Sequence, residues 1–153
     1  MNWTTDDKER LISFTESIDS DDIKIKEQIK KVLLENRYIC HVLNNTVLES
    51  DEDTEVSDYY GVNILPYYIL PDAQTDVENY ICFEVSSNTS SSYGNKTMKV
   101  LNITFYILCK HHNMIDEDTG IARHDLLAAL IQDQFNNTTY LGSKIRLTSD
   151  SPS

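Results

Sequence analysis

From Lys99 to His111 apolar and polar residues alternate: Leu101, Ile103, Phe105, Ile107 and Cys109 fall on one side of the chain, Asn102, Thr104 and Tyr106 on the other. A period of two belongs to a β-strand with one buried face. It also pins the pairing register, because a slip of one residue would turn the whole apolar set outward. A second alternating segment, Val77 to Ser86, sets Ile81, Phe83 and Val85 opposite Tyr80, Cys82 and Glu84. Between the two lies Asn88-Thr89-Ser90-Ser91-Ser92-Tyr93-Gly94-Asn95, rich in turn formers. The sequence therefore predicts an antiparallel hairpin.

Helical periodicity supplies a layer to cover it. From about Asp21 to Glu35, Ile25, Ile29, Val32 and Leu33 recur at i, i+4, i+7 and i+8, with Lys24, Lys26, Lys30 and Lys31 expected on the wet side. Tyr38 to Leu43 reads as a short further helix ending at Asn44-Asn45. Leu126, Leu127, Leu130 and Ile131 mark a last helix, from about Gly120 to Phe135, and Lys144 to Thr148 is expected as a short closing strand. Before all of these, Thr5 is expected to cap a short helix with Asp6, Asp7 and Glu9 in its opening turns, where the helix dipole favours negative charge. Leu11, Ile12, Phe14 and Ile18 would form its sticky side.

Residues 46–76 fit neither period. The acidic residues Glu49, Asp51, Glu52, Asp53, Glu55 and Asp58 lead into a run from Tyr59 to Pro71 that holds two prolines. That stretch reads as an extended arm or long loop rather than a central strand. The expected fold class is thus α+β. N-terminal helices, an antiparallel β-hairpin, a helix and a C-terminal strand form a small mixed sheet with helices packed on one face. Residues 1–19 make an appended helix, and 20–153 make a single domain with the arm at about 46–76.

The chain carries 25 acidic against 13 basic residues, a net charge of −12 over 153 residues. That balance disfavours binding to a phosphate backbone or to an anionic membrane. It suits a surface past which nucleic acid slides without sticking, and equally plain solubility. Cys40, Cys82 and Cys109 are odd in number, far apart and flanked by apolar residues, so they read as buried free thiols. No segment approaches the length of a membrane span, and no leader-like apolar run follows Met1. The Asn-x-Ser/Thr triplets, such as those at Asn44 and Asn102, are then a by-product of an Asn-rich composition.

Catalytic and metal-binding patterns are weak. Four scattered glycines make no phosphate loop. His111-His112 would point to opposite faces of a strand and reads as a surface pair at a strand end. Asp116-Glu117-Asp118-Thr119-Gly120 lacks the ligand spacing of a calcium loop and reads as charge at a helix start. Arg123-His124-Asp125 and Cys40-His41 are consecutive on helices, so their side chains diverge by about 100° per residue and cannot converge on one atom. No catalytic residue, metal or cofactor is expected, and the chain is read as no enzyme.

Recognition chemistry is richer. Nine tyrosines are present, and Tyr59, Tyr60, Tyr67 and Tyr68 sit in the arm beside the acidic run. Tyrosine combines large apolar area with a hydrogen-bonding tip, which suits interfaces. Tyr59, Tyr60, Pro66, Tyr67, Tyr68 and Pro71 are the candidate protein interface. Asp51, Glu52, Asp53, Glu55 and Asp58 are the candidate acidic lumen or surface run. The arm either folds over its own domain or reaches a neighbouring subunit.

The element order, with Ile64 to Thr75, Tyr80 to Val85, Val100 to Tyr106 and Thr119 to Leu127 as its carriers, resembles the tail terminator and related neck proteins of long-tailed bacteriophages. The resemblance covers roughly residues 20–150 and lies in pattern more than in identity. It implies a non-enzymatic virion subunit, assembled in the host cytoplasm, that forms a six-fold ring capping the tail tube. Its partners would be copies of itself, the tail tube protein and the head-side connector protein, with DNA as a passing cargo that does not stick, and no membrane. The helix before Ser20 and the early stop after the last strand depart from that pattern. The rival readings are another neck subunit (head completion or adaptor) and an acidic nucleic-acid mimic that inhibits a host protein. A hydrolase or nuclease is disfavoured because no acid, base or metal set converges.

Overall fold

The alternating segments pair as expected and run further than their alternation does. The computed structural model describes residues 1–17, 21–70, 77–93 and 96–136. Among these the chain forms α1 (Thr5–Ser17), α2 (Asp21–Glu35), α3 (Arg37–Leu43), α4 (Thr46–Glu49), β1 (Ile64–Leu65), β2 (Asn79–Tyr93), β3 (Lys96–Cys109) and α5 (Arg123–Phe135). Short 3-10 turns lie at Val56–Tyr59 and His111–Asn113. The fold is α+β, with a three-stranded mixed sheet in the order β1-β2-β3.

The register is the one the apolar pattern requires. Ile81 faces Ile107, Phe83 faces Phe105, and Val85 faces Ile103, all on one side. That side packs on α2, α3 and α5 through Ile29, Leu33, Ile39, Leu43, Leu127 and Phe135. The rings of Phe83, Phe105 and Phe135 form a tilted chain, 6.5 and 5.2 Å between successive centroids. Full burial of one such ring is worth about 1.5–3 kcal/mol, so these three dominate the layer.

Three sequence expectations change. The segment rich in turn formers is strand: β2 continues to Tyr93 and β3 begins at Lys96, with an irregularity between Ser90 and Tyr93. Ladder hydrogen bonds use backbone groups, so Ser, Thr and Asn are carried along once the register is fixed. Next, the third strand is β1, from the arm, pairing parallel to β2 through Ile64–Ile81 and Leu65–Cys82. The closing strand expected at 144–148 lies outside the described residues. Lastly, the arm is folded rather than extended between Asn45 and Leu65, where α4, the Val56–Tyr59 turn and β1 follow one another.

Asparagines fasten that segment. Asn45 caps α4 by accepting from Leu48 N, and its amide donates to Asn63 Oδ1 at 2.8 Å. Buried Asn63 donates to the Asn79 carbonyl at 2.9 Å, while its own carbonyl accepts from Ile81 N at 2.8 Å. Asn79 in turn donates to the Leu43 carbonyl at 2.8 Å. Each bond satisfies a group that burial would otherwise leave unpaired, at a cost of about 1–3 kcal/mol per group. Asn44 ends α3 in the left-handed region at φ 51°, which asparagine tolerates.

The cap of α1 falls one residue earlier than expected. The Thr4 hydroxyl donates to Asp7 Oδ2 at 2.7 Å, and Asp7 N donates back to Thr4 Oγ1 at 3.2 Å. Nearly every side chain of α1 is exposed, and none belongs to either apolar cluster of the described residues.

Candidate interaction surface

The arm's four tyrosines divide into two pairs with opposite roles. Tyr59 is 5% exposed and belongs to the helix-side core. Burial, with the Glu49 charge behind it, pushes its phenol up to about 12. Half-buried Tyr60 lies under the Lys30 ammonium, 4.3 Å from the ring centroid, a cation–π contact. These two anchor the arm to its own domain.

Tyr67 and Tyr68 turn outward, 52% and 42% exposed. They lie on a strap that leaves β1 at Leu65 and crosses to the sheet face the helices leave uncovered. There Leu65, Tyr80 and Cys82 form a second buried cluster, joined by Ile69, Val77, Tyr106 and Leu108. The Tyr68 ring meets Tyr106 of β3 at 4.7 Å, tilted by 52°. Lys26 holds the start of the strap by donating to the Pro66 carbonyl at 3.0 Å. Lys26 and Lys30 are thus drawn into contacts rather than left on a wet face. Leu70, which ends the described strap, is exposed. Pro71 lies outside the described residues.

All five residues of the acidic run are exposed. Two of them pin the local turn: Glu55 N donates to Asp58 Oδ2 at 2.8 Å in a reciprocal capping box. Asp51 Oδ1 accepts from Asp53 N at 3.0 Å.

The hairpin adds a third surface. Among the described side chains, contact with the helix-side core ends at Val85 on β2 and Ile103 on β3. The backbone ladder itself runs on to Ser90 and Met98, with a last pair at Tyr93 and Lys96. On the described core-distal stretch of the other face, Glu84, Ser86, Asn102 and Thr104 are exposed.

Sequence reasoning missed Arg123. Expected on a polar first turn, it is buried. Its guanidinium donates to the carbonyls of Val42 at 2.6 Å, Asn113 at 3.0 Å and Ile115 at 3.4 Å, and lies 3.7 Å from the Asp116 carboxylate. One fork thus ties the end of α3 to the loop before α5. Buried Asp116 is a turn anchor rather than helix-start charge: Oδ2 accepts from the Thr119 hydroxyl at 2.7 Å and amide at 2.9 Å. The Thr119 hydroxyl, chiefly, holds that carboxyl below its usual range, and Arg123 adds to the effect. A guanidinium followed by His124 and Asp125 looks like surface in any sequence; only the fold reveals the carbonyls it serves.

His112 lies in the 3-10 turn after β3, with Nε2 2.6 Å from Glu78 Oε1. Asn113 donates to the other oxygen of Glu78, whose carboxyl the His112 contact chiefly holds below its usual range. An open hollow of about 290 Å³ beside this foot of the hairpin is lined by Glu78, Ile107, Leu108, Cys109, Lys110, Met114 and His124. Burial raises the Cys109 thiol to about 11, which leaves it protonated at neutral pH and a packing group rather than a nucleophile. Cys40 and Cys82 are buried, their thiols likewise raised by burial, and all three cysteines are free. No helix among the described residues is long and apolar enough to cross a membrane.

No curated protein and no solved structure matches the chain. Residues 36–152 match the YomW family, a span that begins at the cap of α3 and takes in the arm, the hairpin and α5. The chain belongs to the YomW family, a family of phage origin.

Proposed function

We propose that this chain is a non-enzymatic assembly subunit of a phage particle, a tail-terminator-like ring-former at the neck. The observation that carries the reading is the hairpin, whose 15- and 14-residue strands meet a third strand at two residues only, Ile81 and Cys82, among the described residues. A two-stranded ribbon is marginal in water by itself. Its natural use is to pack against a neighbour, where it gains a third strand or a second layer. The phage origin of the family gives such a neighbour a setting, and the exposed Tyr67, Tyr68 and Leu70 offer a second, different face. A heterologous ring needs two unlike faces on every subunit.

In that ring the exposed acids from Asp51 to Asp58 and the net charge of −12 would keep passing DNA from sticking to the wall. Copies of the chain, a tail tube protein and a head-side connector are its partners, and the virion is its destination. Light scattering on a sizing column, across protein concentration and with purified tail tubes added, tests the reading. We expect one closed species near six copies, abolished when Thr89→Pro breaks the outer ladder while the circular dichroism of the domain persists. A chain that stays monomeric at every concentration and ignores tail tubes would overturn it.

A further inference from the structure

We propose that the hollow at the foot of the hairpin is a site for a soft monovalent metal ion of the Cu(I) class, held by Met114 Sδ, His124 Nδ1 and the sulfur of Cys109. The proposal stands apart from the assembly reading, since a ring can form without the ion and a monomer can bind it.

Three soft donors from three parts of the chain line one space. Cys109 ends β3, Met114 lies in the loop that follows, and His124 opens α5; all three line the hollow of about 290 Å³. Two of them already stand side by side, with His124 Nδ1 3.2 Å from Met114 Sδ. The other ring nitrogen, Nε2, lies 3.0 Å from Asp125 Oδ1. An ionised carboxylate only accepts, so in the neutral imidazole Nε2 carries the hydrogen and Nδ1 turns its lone pair toward the sulfur. A thioether also offers lone pairs and no hydrogen. Two such atoms repel unless a positive centre lies between them. A carboxylate behind one imidazole nitrogen and a metal at the other is the arrangement that orients histidine ligands.

The spacing suits an ion. At zinc-like bond lengths of about 2.0 Å to nitrogen and 2.3 Å to sulfur, a tetrahedral centre holds its two donors about 3.5 Å apart. The 3.2 Å found is a few tenths short of that.

Chemistry selects which ion. Among the described residues no group of three or more His, Cys, Asp or Glu could hold a metal. Glu78 borders the hollow, but its two oxygens face His112 and Asn113. The donor set is therefore complete only for an ion that accepts a thioether, which favours Cu(I) over zinc and over the hard cations. Lys110 also lines the hollow, and its charge opposes a divalent ion twice as strongly as a monovalent one. The Cys109 thiol releases its proton to water as its sulfur bonds the ion, and the thiolate and Cu(I) charges then cancel. The bound ion would tie the end of β3 to the loop and to the start of α5, stabilising the folded chain by linkage.

Cu(I), delivered from a competing chelator to the reduced full chain without oxygen, tests the site. We expect one equivalent to bind, and the thermal midpoint to rise with free Cu(I). Met114 and His124 lie outside both apolar clusters. Met114→Leu and His124→Gln should each leave the metal-free midpoint in place and weaken Cu(I) binding by at least about tenfold. Cys109→Ser should weaken it further; because Cys109 packs against the core, its metal-free midpoint is measured alongside. Zn(II) over the same range should leave the midpoint unchanged. No uptake by the parent chain would overturn the site and leave the His124–Met114 contact as a hydrogen bond. Uptake undiminished in both Met114→Leu and His124→Gln would assign the ion to thiols alone and overturn it equally. A Zn(II) affinity equal to that for Cu(I) would also overturn it, because the thioether would then not be selecting the ion.

Discussion

Among the described residues, three helices lie on one side of the sheet and a single strap of chain lies on the other. The helix side buries Phe83, Phe105 and Phe135 among Ile29, Leu33 and Leu127, and it is closed at one end by the Arg123 fork. The strap side buries Leu65, Tyr80 and Cys82 under a segment that ends in exposed Tyr67, Tyr68 and Leu70. Both faces are apolar where they are covered, but only one has a layer with its own internal hydrogen bonding. The helix face should therefore carry most of the stability, and the strap face should be the part that can open or exchange at low cost.

The largest expected effect follows directly. Phe135→Ala removes a buried ring from beneath Phe105 and should cost about 3–5 kcal/mol, the range for aromatic truncation in a core. Denaturant unfolding measures it. A loss below about 1 kcal/mol would mean that the helix layer is not where the stability lies.

Next comes the fork. Arg123→Ala would leave three carbonyls without their guanidinium donor and the buried Asp116 carboxylate without its cation, held by Thr119, at a cost of about 3 kcal/mol. A pH series sharpens the test. Asp116 has a folded-state pKa below its ordinary value of 3.8, so its contribution is present above that value and is lost as pH falls through the folded one. Acid unfolding below about pH 4 should therefore be shallower in Asp116→Asn than in the parent.

This contrast also separates what was legible in the sequence from what was not. The helix face was legible because Leu101 to Cys109 and the α2 and α5 stripes each repeat with the period of their own element. The strap was not: Ile64 to Leu70 carries no period, since β1 is two residues long and the rest is held by side chains from elsewhere. The outer hairpin was hidden by composition, its Ser, Thr and Asn residues reading as a turn although the backbone keeps its register through Thr89 and Met98. As for the candidate surface, its residues were found but not their division. Tyr59 and Tyr60 differ from Tyr67 and Tyr68 only in tertiary neighbours, Lys30 and the helix core in one case and Tyr106 in the other.

The strap itself predicts a smaller effect. Tyr68 and Tyr106 form a tilted ring pair at 4.7 Å, and a double-mutant cycle with Tyr68→Ala and Tyr106→Ala should return a coupling of about 0.5–1.5 kcal/mol. A coupling indistinguishable from zero would mean that the strap lies on this face without gripping it, and the contrast between the faces would be wider still.

The smallest effect on stability carries the most functional meaning. Tyr67 is 52% exposed on the strap, beside but not inside the second cluster. Replacing it by Ala should change the unfolding free energy by no more than about 0.5 kcal/mol, as for surface sites generally. If the strap presents a face to a neighbouring subunit, the same substitution should still shift the concentration at which the chain associates, by roughly tenfold for a loss of about 1.4 kcal/mol. Measuring both quantities on one variant separates the two roles of the arm. A change in stability alone would make Tyr67 one more cover for its own sheet. A change in association alone would make the strap the contact face, held in place by Tyr59, Tyr60 and Lys26 so that Tyr67 meets its partner already ordered.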